Sequence, residues 1–336
     1  DGGRGGLNLT IIRNVSLPCP KMKEQKAIAN ALSDVDALIS ELEKLISKKQ
    51  AIKTATMQQL LTGRIRLPQF APQSAASAEF DSGSQIRLDF TSSDESDSAS
   101  SSVSDSTSFT PSVKPDSSPA TSTSSSPLVE PVETNTDTKI SKGYKQTEVG
   151  VIPADWKVVP FKNLLSIRHG KSQKGVEAEN GLYPILATGG QIGWSDNYLW
   201  NKPSVLIGRK GTINKPRFVD IPFWTVDTLF YSEIKSDVNA KFIYYKFCMV
   251  DWMQYNEASG VPSLNASTIE AVLSATPKKK EQTAIATILS DMDDEIQSLK
   301  KRLAKTRQIK QGMMQELLTG KTRLIKPKHK GDSHAC

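Results

Sequence analysis

The sequence predicts an α+β protein: one mixed α/β domain accompanied by two long helices that pair as a coiled coil. Three observations carry this. Residues 20–67 recur as residues 277–324 at a constant offset of 257, without a gap and with 26 of 48 positions identical. Both copies show a 4-3 spacing of apolar residues. Between them, Gly- and Pro-punctuated β-rich segments fill residues 144–276.

Each repeated element opens after a proline, Pro20 or Pro277, on a Lys-Glu-Gln start. The seam of the first copy runs Ile28, Leu32, Val35, Ile39, Leu42 and Ile46. That of the second runs Ile285, Leu289, Met292, Ile296, Leu299 and Leu303. A 3.5-residue period held for almost three heptads marks a coiled-coil seam rather than a broad amphipathic face. Gly63 and Gly320 follow Leu-Leu-Thr, where a left-handed helix cap favours glycine. A helix of about 40 residues rises about 60 Å at about 1.5 Å per residue. Heptads alone would suit a plain dimerisation rod; duplication around an intervening domain points to a pseudo-two-fold scaffold.

Residues 68–143 read as a disordered, acidic, Ser-rich linker, because they hold too little apolar surface to offset the entropy of ordering. Net charge is uneven: +5 over residues 1–67, −7 over the linker, +2 over 144–276 and +7 over 277–336, which together make the +7 of the chain. The folded parts are thus basic, as a polyanionic partner favours, although lysines on a long helix also serve simply to solvate it. Residues 325–336 form a basic tail. Three cysteines lie far apart at 19, 248 and 336, with no signal peptide and no apolar run near membrane length. That predicts a cytoplasmic protein without a membrane span.

Within 144–276, strands are expected at Lys157–Val159, Tyr183–Thr188, Ser204–Ile207, Arg217–Val219, Phe223–Val226 and Leu229–Ile234, and a helix from Asn239 to about Tyr255. Phe242, Tyr245, Met249 and Trp252 fit that helix as core residues. Residues 187–202 and 208–218 read as polar loops. Basic side chains position a protein on phosphates, while Arg, Asn and Gln can pair with base edges. The candidate DNA-binding residues are Lys171, Lys174, Gln191, Trp194, Asn197, Arg209, Lys210, Thr212, Asn214, Lys215 and Arg217. A basic Gly-rich turn is also an ordinary surface feature. The three histidines form no metal-binding spacing, no phosphate-loop motif occurs, and no nucleophile–base pairing is evident; no catalytic residue, metal or cofactor is expected.

Several segments resemble the specificity subunits of type I restriction–modification systems. They are the repeated PKKKEQTAIA and LLTG elements, the entry YKQTEVGVIPADWKVVPF (144–161), GLYPILATGGQIGW (181–194), VLIGRKGTI (205–213), FWTVDTLFY (223–231), NAKFIYYKF (239–247) and SGVPSLN (259–265). The resemblance covers nearly all but the linker and tail. It implies that 144–276 is a target recognition domain reading one half of a bipartite double-stranded DNA site. It also implies that the two helices pack antiparallel as a spacer. Modification subunits would bring S-adenosylmethionine and methyl transfer, and restriction (motor–nuclease) subunits ATP, Mg and cleavage. Residues 1–19 align with 258–276 and read as the remnant of a first recognition domain. Two readings follow: a non-catalytic DNA-recognition subunit, able to self-dimerise onto an inverted repeat, or a structural or regulatory fragment that binds modification subunits without productive targeting. A self-sufficient methyltransferase or nuclease lacks its motifs.

Overall fold

The computed structural model describes residues 9–71 and 142–325. The expected linker apart from its ends, the first eight residues of the remnant, and the tail beyond residue 325 lie outside the described residues. A short helix α1 (Leu9–Arg13) precedes α2 (Met22–Thr62, 41 residues). The central domain follows, and α5 (Lys279–Leu318, 40 residues) closes the chain.

The repeat is structural down to its caps. Gln25 Nε2 donates to the Pro20 carbonyl at 2.7 Å and Gln282 Nε2 to that of Pro277 at 2.9 Å, each side chain reaching back over the first helical turn. At the other ends Gly63 and Gly320 take φ of 73° and 74°. Their N–H groups bond back to Leu60 and Leu317, each at 3.3 Å. A left-handed residue there satisfies late carbonyls, and glycine adopts it without a Cβ penalty.

The two helices run antiparallel. Six cross-helix ion pairs read in opposite directions along the chain: Glu24–Arg323, Asp36–Lys310, Glu43–Arg307, Lys49–Glu295, Lys53–Asp293 and Arg66–Glu281. Four of these are two-fold mates under the 257-residue offset: Glu24–Arg323 with Glu281–Arg66, and Asp36–Lys310 with Asp293–Lys53. The seam faces inward. Ile28, Leu42, Ile46, Ile285, Leu289 and Ile296 are buried. Leu32, Val35, Ile39, Met292, Leu299 and Leu303 are half-buried.

The domain is built from short sheets. β1 (Tyr144–Thr147) pairs with β2 (Gly150–Pro153). β3 (Lys157–Pro160) pairs antiparallel with β11 (Leu273–Thr276). The four-stranded sheet has the order β4 (Leu165–His169), β10 (Leu229–Ile234), β7 (Ser204–Gly208), β8 (Arg217–Val219). A three-stranded sheet is ordered β6 (Gly190–Ser195), β5 (Tyr183–Ala187), β9 (Trp224–Thr225). Helices α3 (Ala240–Met249) and α4 (Ala266–Ala271) pack beside them. One core joins domain and helices: Trp156, Phe161, Phe242, Phe247 and Trp252 pack in the same cluster as Met57, Leu60 and Leu61 of α2 and Ile285 and Leu289 of α5.

Two expectations need correction. Residues 187–202 are not a continuous loop, because Gly190–Ser195 is a strand paired with β5 in a hairpin. Gly190, at φ 138°, makes the turn that the glycine pair at 189–190 permits. The helix expected to reach Tyr255 ends at Met249, since the Asp251 carboxylate accepts from the Met253 N–H at 3.1 Å and starts a separate 3-10 turn over Trp252–Tyr255. Trp252 still reaches the core. Among the described residues no helix is long and apolar enough to cross a membrane, and no cluster of His, Cys, Asp and Glu could hold a metal ion.

Candidate nucleic-acid interface

The loop between β7 and β8 is fixed by its main chain. β7 is buried along its length. It ends at Gly208, where a Cβ would lie 2.2 Å from the Thr212 carbonyl oxygen, so only glycine fits. The N–H groups of Arg209 and Lys210 donate to the Thr228 carbonyl at 2.8 and 3.3 Å. Gly211 N–H donates to the Pro262 carbonyl at 2.8 Å, and Leu264 N–H to that of Arg209 at 2.9 Å. Ile213 is buried and anchors the loop in the core. Lys210, Thr212, Asn214 and Lys215 are left exposed and Arg209 half-exposed.

Neighbouring loops converge on Thr228. Its hydroxyl lies 3.5 Å from that of Thr188, at the β5–β6 turn. Arg217 donates through Nη2 to the Ala187 carbonyl. Burial lowers its pKa, and it ties β8 to that turn instead of standing free. The segment after β4 joins through Lys171, whose N–H donates to the Thr225 carbonyl at 2.8 Å and whose carbonyl accepts from Trp224 Nε1 at 3.1 Å. Gly170 sits against this seam, where a Cβ would meet the Val226 carbonyl oxygen at 2.0 Å. Lys171 and Lys174 are exposed.

The structure therefore brings Lys171, Arg209, Lys210, Thr212, Asn214 and Lys215, on loops, and Gln191 and Arg217, at the starts of β6 and β8, to interlinked segments of the domain. Lys174 lies three residues further along the same segment as Lys171. Gln191 spends its amide on the Gly193 carbonyl at 3.2 Å. Trp194 and Asn197 lie toward the other end of the hairpin. Trp194 is opposite Pro184, and Asn197 follows the strand with its N–H on the Ser195 hydroxyl. Six residues of extended chain from Gln191 to Asn197 span up to about 20 Å.

A second polar cluster fixes this domain to the helices. Arg66 forms two hydrogen bonds with Asp155, at 2.8 and 2.7 Å, and two with Glu281, each at 2.8 Å. The bonds to Glu281, then those to Asp155, hold its pKa above the usual arginine value against the cost of burial. Trp156 Nε1 donates to the same Glu281 carboxylate at 3.3 Å. Lys246 Nζ donates at 2.7 Å to the Leu61 carbonyl at the C-terminal end of α2, and Tyr245 donates to Asp293 of α5 at 2.9 Å. No motif in the sequence singles out Arg66, Glu281 or their mates Glu24 and Arg323. Their one signal is identity at the 257-residue offset among charged positions, outside the apolar seam.

The chain matches the family described as Type I restriction modification DNA specificity domain over residues 1–54 and 153–308. The chain belongs to this family. Among curated relatives, the type I restriction enzyme MjaVIII specificity subunit of Methanocaldococcus jannaschii is 22% identical over 344 residues, covering 94% of this chain and 64% of the relative. The Escherichia coli EcoDI specificity subunit is 23% identical over 172 residues, covering 51% of this chain and 38% of the relative. The chain thus spans less than two thirds of the length of either. The fold is similar to the crystal structure of the type I restriction-modification S subunit from M. genitalium, with TM-score 0.50 and 15% identity over 89% of this chain and 61% of that one. The α+β architecture of long helices and small sheets is that of this specificity family.

Proposed function

We propose that the chain is a DNA-recognition subunit that reads one half-site and catalyses nothing itself. The observation that carries this is the β7–β8 loop, whose main chain is pinned to Thr228, Pro262 and Leu264 while Lys210, Thr212, Asn214 and Lys215 are left in solvent. A fixed backbone with free cationic and amide side chains suits phosphate positioning and base-edge readout. In this reading Arg209, Lys210, Lys215 and Lys171 engage phosphates or guanine. Arg217 holds the β5–β6 turn in place, a supporting part consistent with its bond to Ala187.

The helix pair acts as an antiparallel coiled-coil spacer and as the platform for modification subunits, which would supply S-adenosylmethionine and the methyl-transfer chemistry. Restriction subunits would supply ATP-driven cleavage. The competing reading, a regulatory fragment that holds modification subunits without targeting DNA, predicts no salt-dependent DNA affinity.

The test is binding of the purified chain to duplex DNA across a salt series. Lys210→Ala and Lys215→Ala each remove one cation from the phosphates, so each should lower the slope of log affinity against log salt by about one. Such a change should weaken all sequences alike. Unchanged slopes in the double variant would place the interface elsewhere, and absent DNA binding would favour the regulatory fragment.

A further inference from the structure

The turn between β9 and β10 is the point on which the candidate loops close. Val226 N–H donates to the Leu186 carbonyl of β5 at 3.1 Å, and Leu229 N–H returns to the Val226 carbonyl at 3.0 Å. Gly170, pressed against the same turn, donates its N–H to the Leu229 carbonyl at 3.2 Å. From the other side the N–H groups of Arg209 and Lys210 hold the Thr228 carbonyl. Arg209 also donates through Nη1 to the Asp227 carbonyl at 3.4 Å. Asp227 therefore sits at the tip of a turn held by β5, by the segment after β4 and by the β7–β8 loop.

The Asp227 side chain takes no part in this. The residue is exposed. Among the described residues its carboxylate makes no hydrogen bond and no ion pair, although Lys171, Arg209 and Lys210 stand on the flanking segments. The carboxylate of Glu257, on the segment that Ser263 joins to the β7–β8 loop, is by contrast engaged: it accepts from Thr268 Oγ1 at 2.5 Å. Aspartate suits a turn for its backbone alone. A free anion on a face that meets phosphates nevertheless weakens binding by like-charge repulsion. A donor on the nucleic acid offsets that repulsion. In the major groove cytosine N4 and adenine N6 donate, whereas guanine O6 and N7 and thymine O4 only accept and repel a carboxylate. Adenine sets its N7 acceptor beside N6; cytosine itself presents N4 with no acceptor. A group that can only accept thus favours cytosine.

We propose that Asp227 is a specificity-determining residue that selects a cytosine in the half-site, its carboxylate accepting from the N4 amine in the major groove. Lys171, Arg209 and Lys210 hold the neighbouring phosphates or guanine and bring the anion close to the base edge. The proposal rests on the half-site reading and adds to it the base at one position.

The test uses the full chain and a pool of duplexes with a randomised segment, sequenced after rounds of binding. The native chain should enrich a half-site containing a fixed cytosine. Asp227→Ala should enrich the same half-site with that position degenerate. Asp227→Asn, which keeps the turn, should move that position toward adenine, whose N6 and N7 suit an amide. Replacing the cytosine by a pyrimidinone base that lacks the N4 amine should weaken the native chain by about tenfold, the loss of one hydrogen bond to a charged group. The same replacement should leave Asp227→Ala unchanged. Unchanged base preference in both variants, or a native chain indifferent to the missing amine, overturns the assignment of Asp227 and leaves the half-site reading standing. A native chain that enriches no sequence overturns both.

Discussion

Lys246 brings an amine into the joint between the domain and α2, where its Nζ caps the Leu61 carbonyl and lies 5.7 Å from the centre of the Phe242 ring. Burial pushes its pKa down to about 7. The unfolded chain holds that proton up to about pH 10.4. Between the two values the unfolded state binds more protons, so stability rises with pH across this window. The Cys248 thiol and the Tyr244 and Tyr245 hydroxyls are pushed up by desolvation, and they work in the opposite direction from about pH 8.5 upward. Urea denaturation between pH 7 and pH 8.5 should therefore show increasing stability in the native chain and a flat profile in Lys246→Met. A slope common to both would mean that this amine stays charged in the fold. The charge-bearing loop residues behave differently: Lys210 and Lys215 keep their side chains in water, and the N–H of Lys210 is held on the Thr228 carbonyl.

At the scale of the element, the helix seams allow a graded prediction. Leu289 is fully buried and Leu32 only half-buried. Leu289→Asp places an unpaired carboxylate in the shared core and should cost several kcal/mol, on the order of 3–5. Leu32→Asp can turn its carboxylate toward water and should cost clearly less. Equal losses in chemical denaturation would mean that the pairing is not the one described. The seams were legible because a 3.5-residue period persists over many turns, and β8 and β10 because Arg217–Val219 and Leu229–Ile234 carry aromatic and β-branched residues (Phe218, Val219, Phe230, Tyr231, Ile234) that favour strands. β6 was not, since Gly190–Ser195 carries Gly, Gln and Ser and draws its order from pairing with β5. β11 was hidden for the same reason: Leu273–Thr276 is short, and its partner β3 lies more than a hundred residues away. The loop at 208–217 was visible as a basic, Gly-rich stretch. That Arg217 turns back to Ala187 was not, because that bond depends on where β5 ends.

For the whole molecule, the telling feature is that domain and helices share one core and one charged joint. Arg66 is the centre of that joint, and Glu281 beside it is 2% exposed. Arg66→Ala leaves that carboxylate without its cation and should cost on the order of 3 kcal/mol. Arg323→Ala, at the mate position where the arginine is half in water, should cost much less. A thermal shift of equal size in the two variants would refute the asymmetry of the ends. The rigid joint has a further consequence when measured against DNA. A helix pair about 60 Å long equals about one and three-quarter turns of a duplex whose turn is about 34–36 Å. One added base pair between two half-sites read from the two ends would turn the second by about 35° around the duplex axis. A joint clamped by Arg66, Trp156 and Lys246 has little freedom to follow that rotation, so tolerance for spacer length should be set by the torsional softness of the DNA and not by the protein.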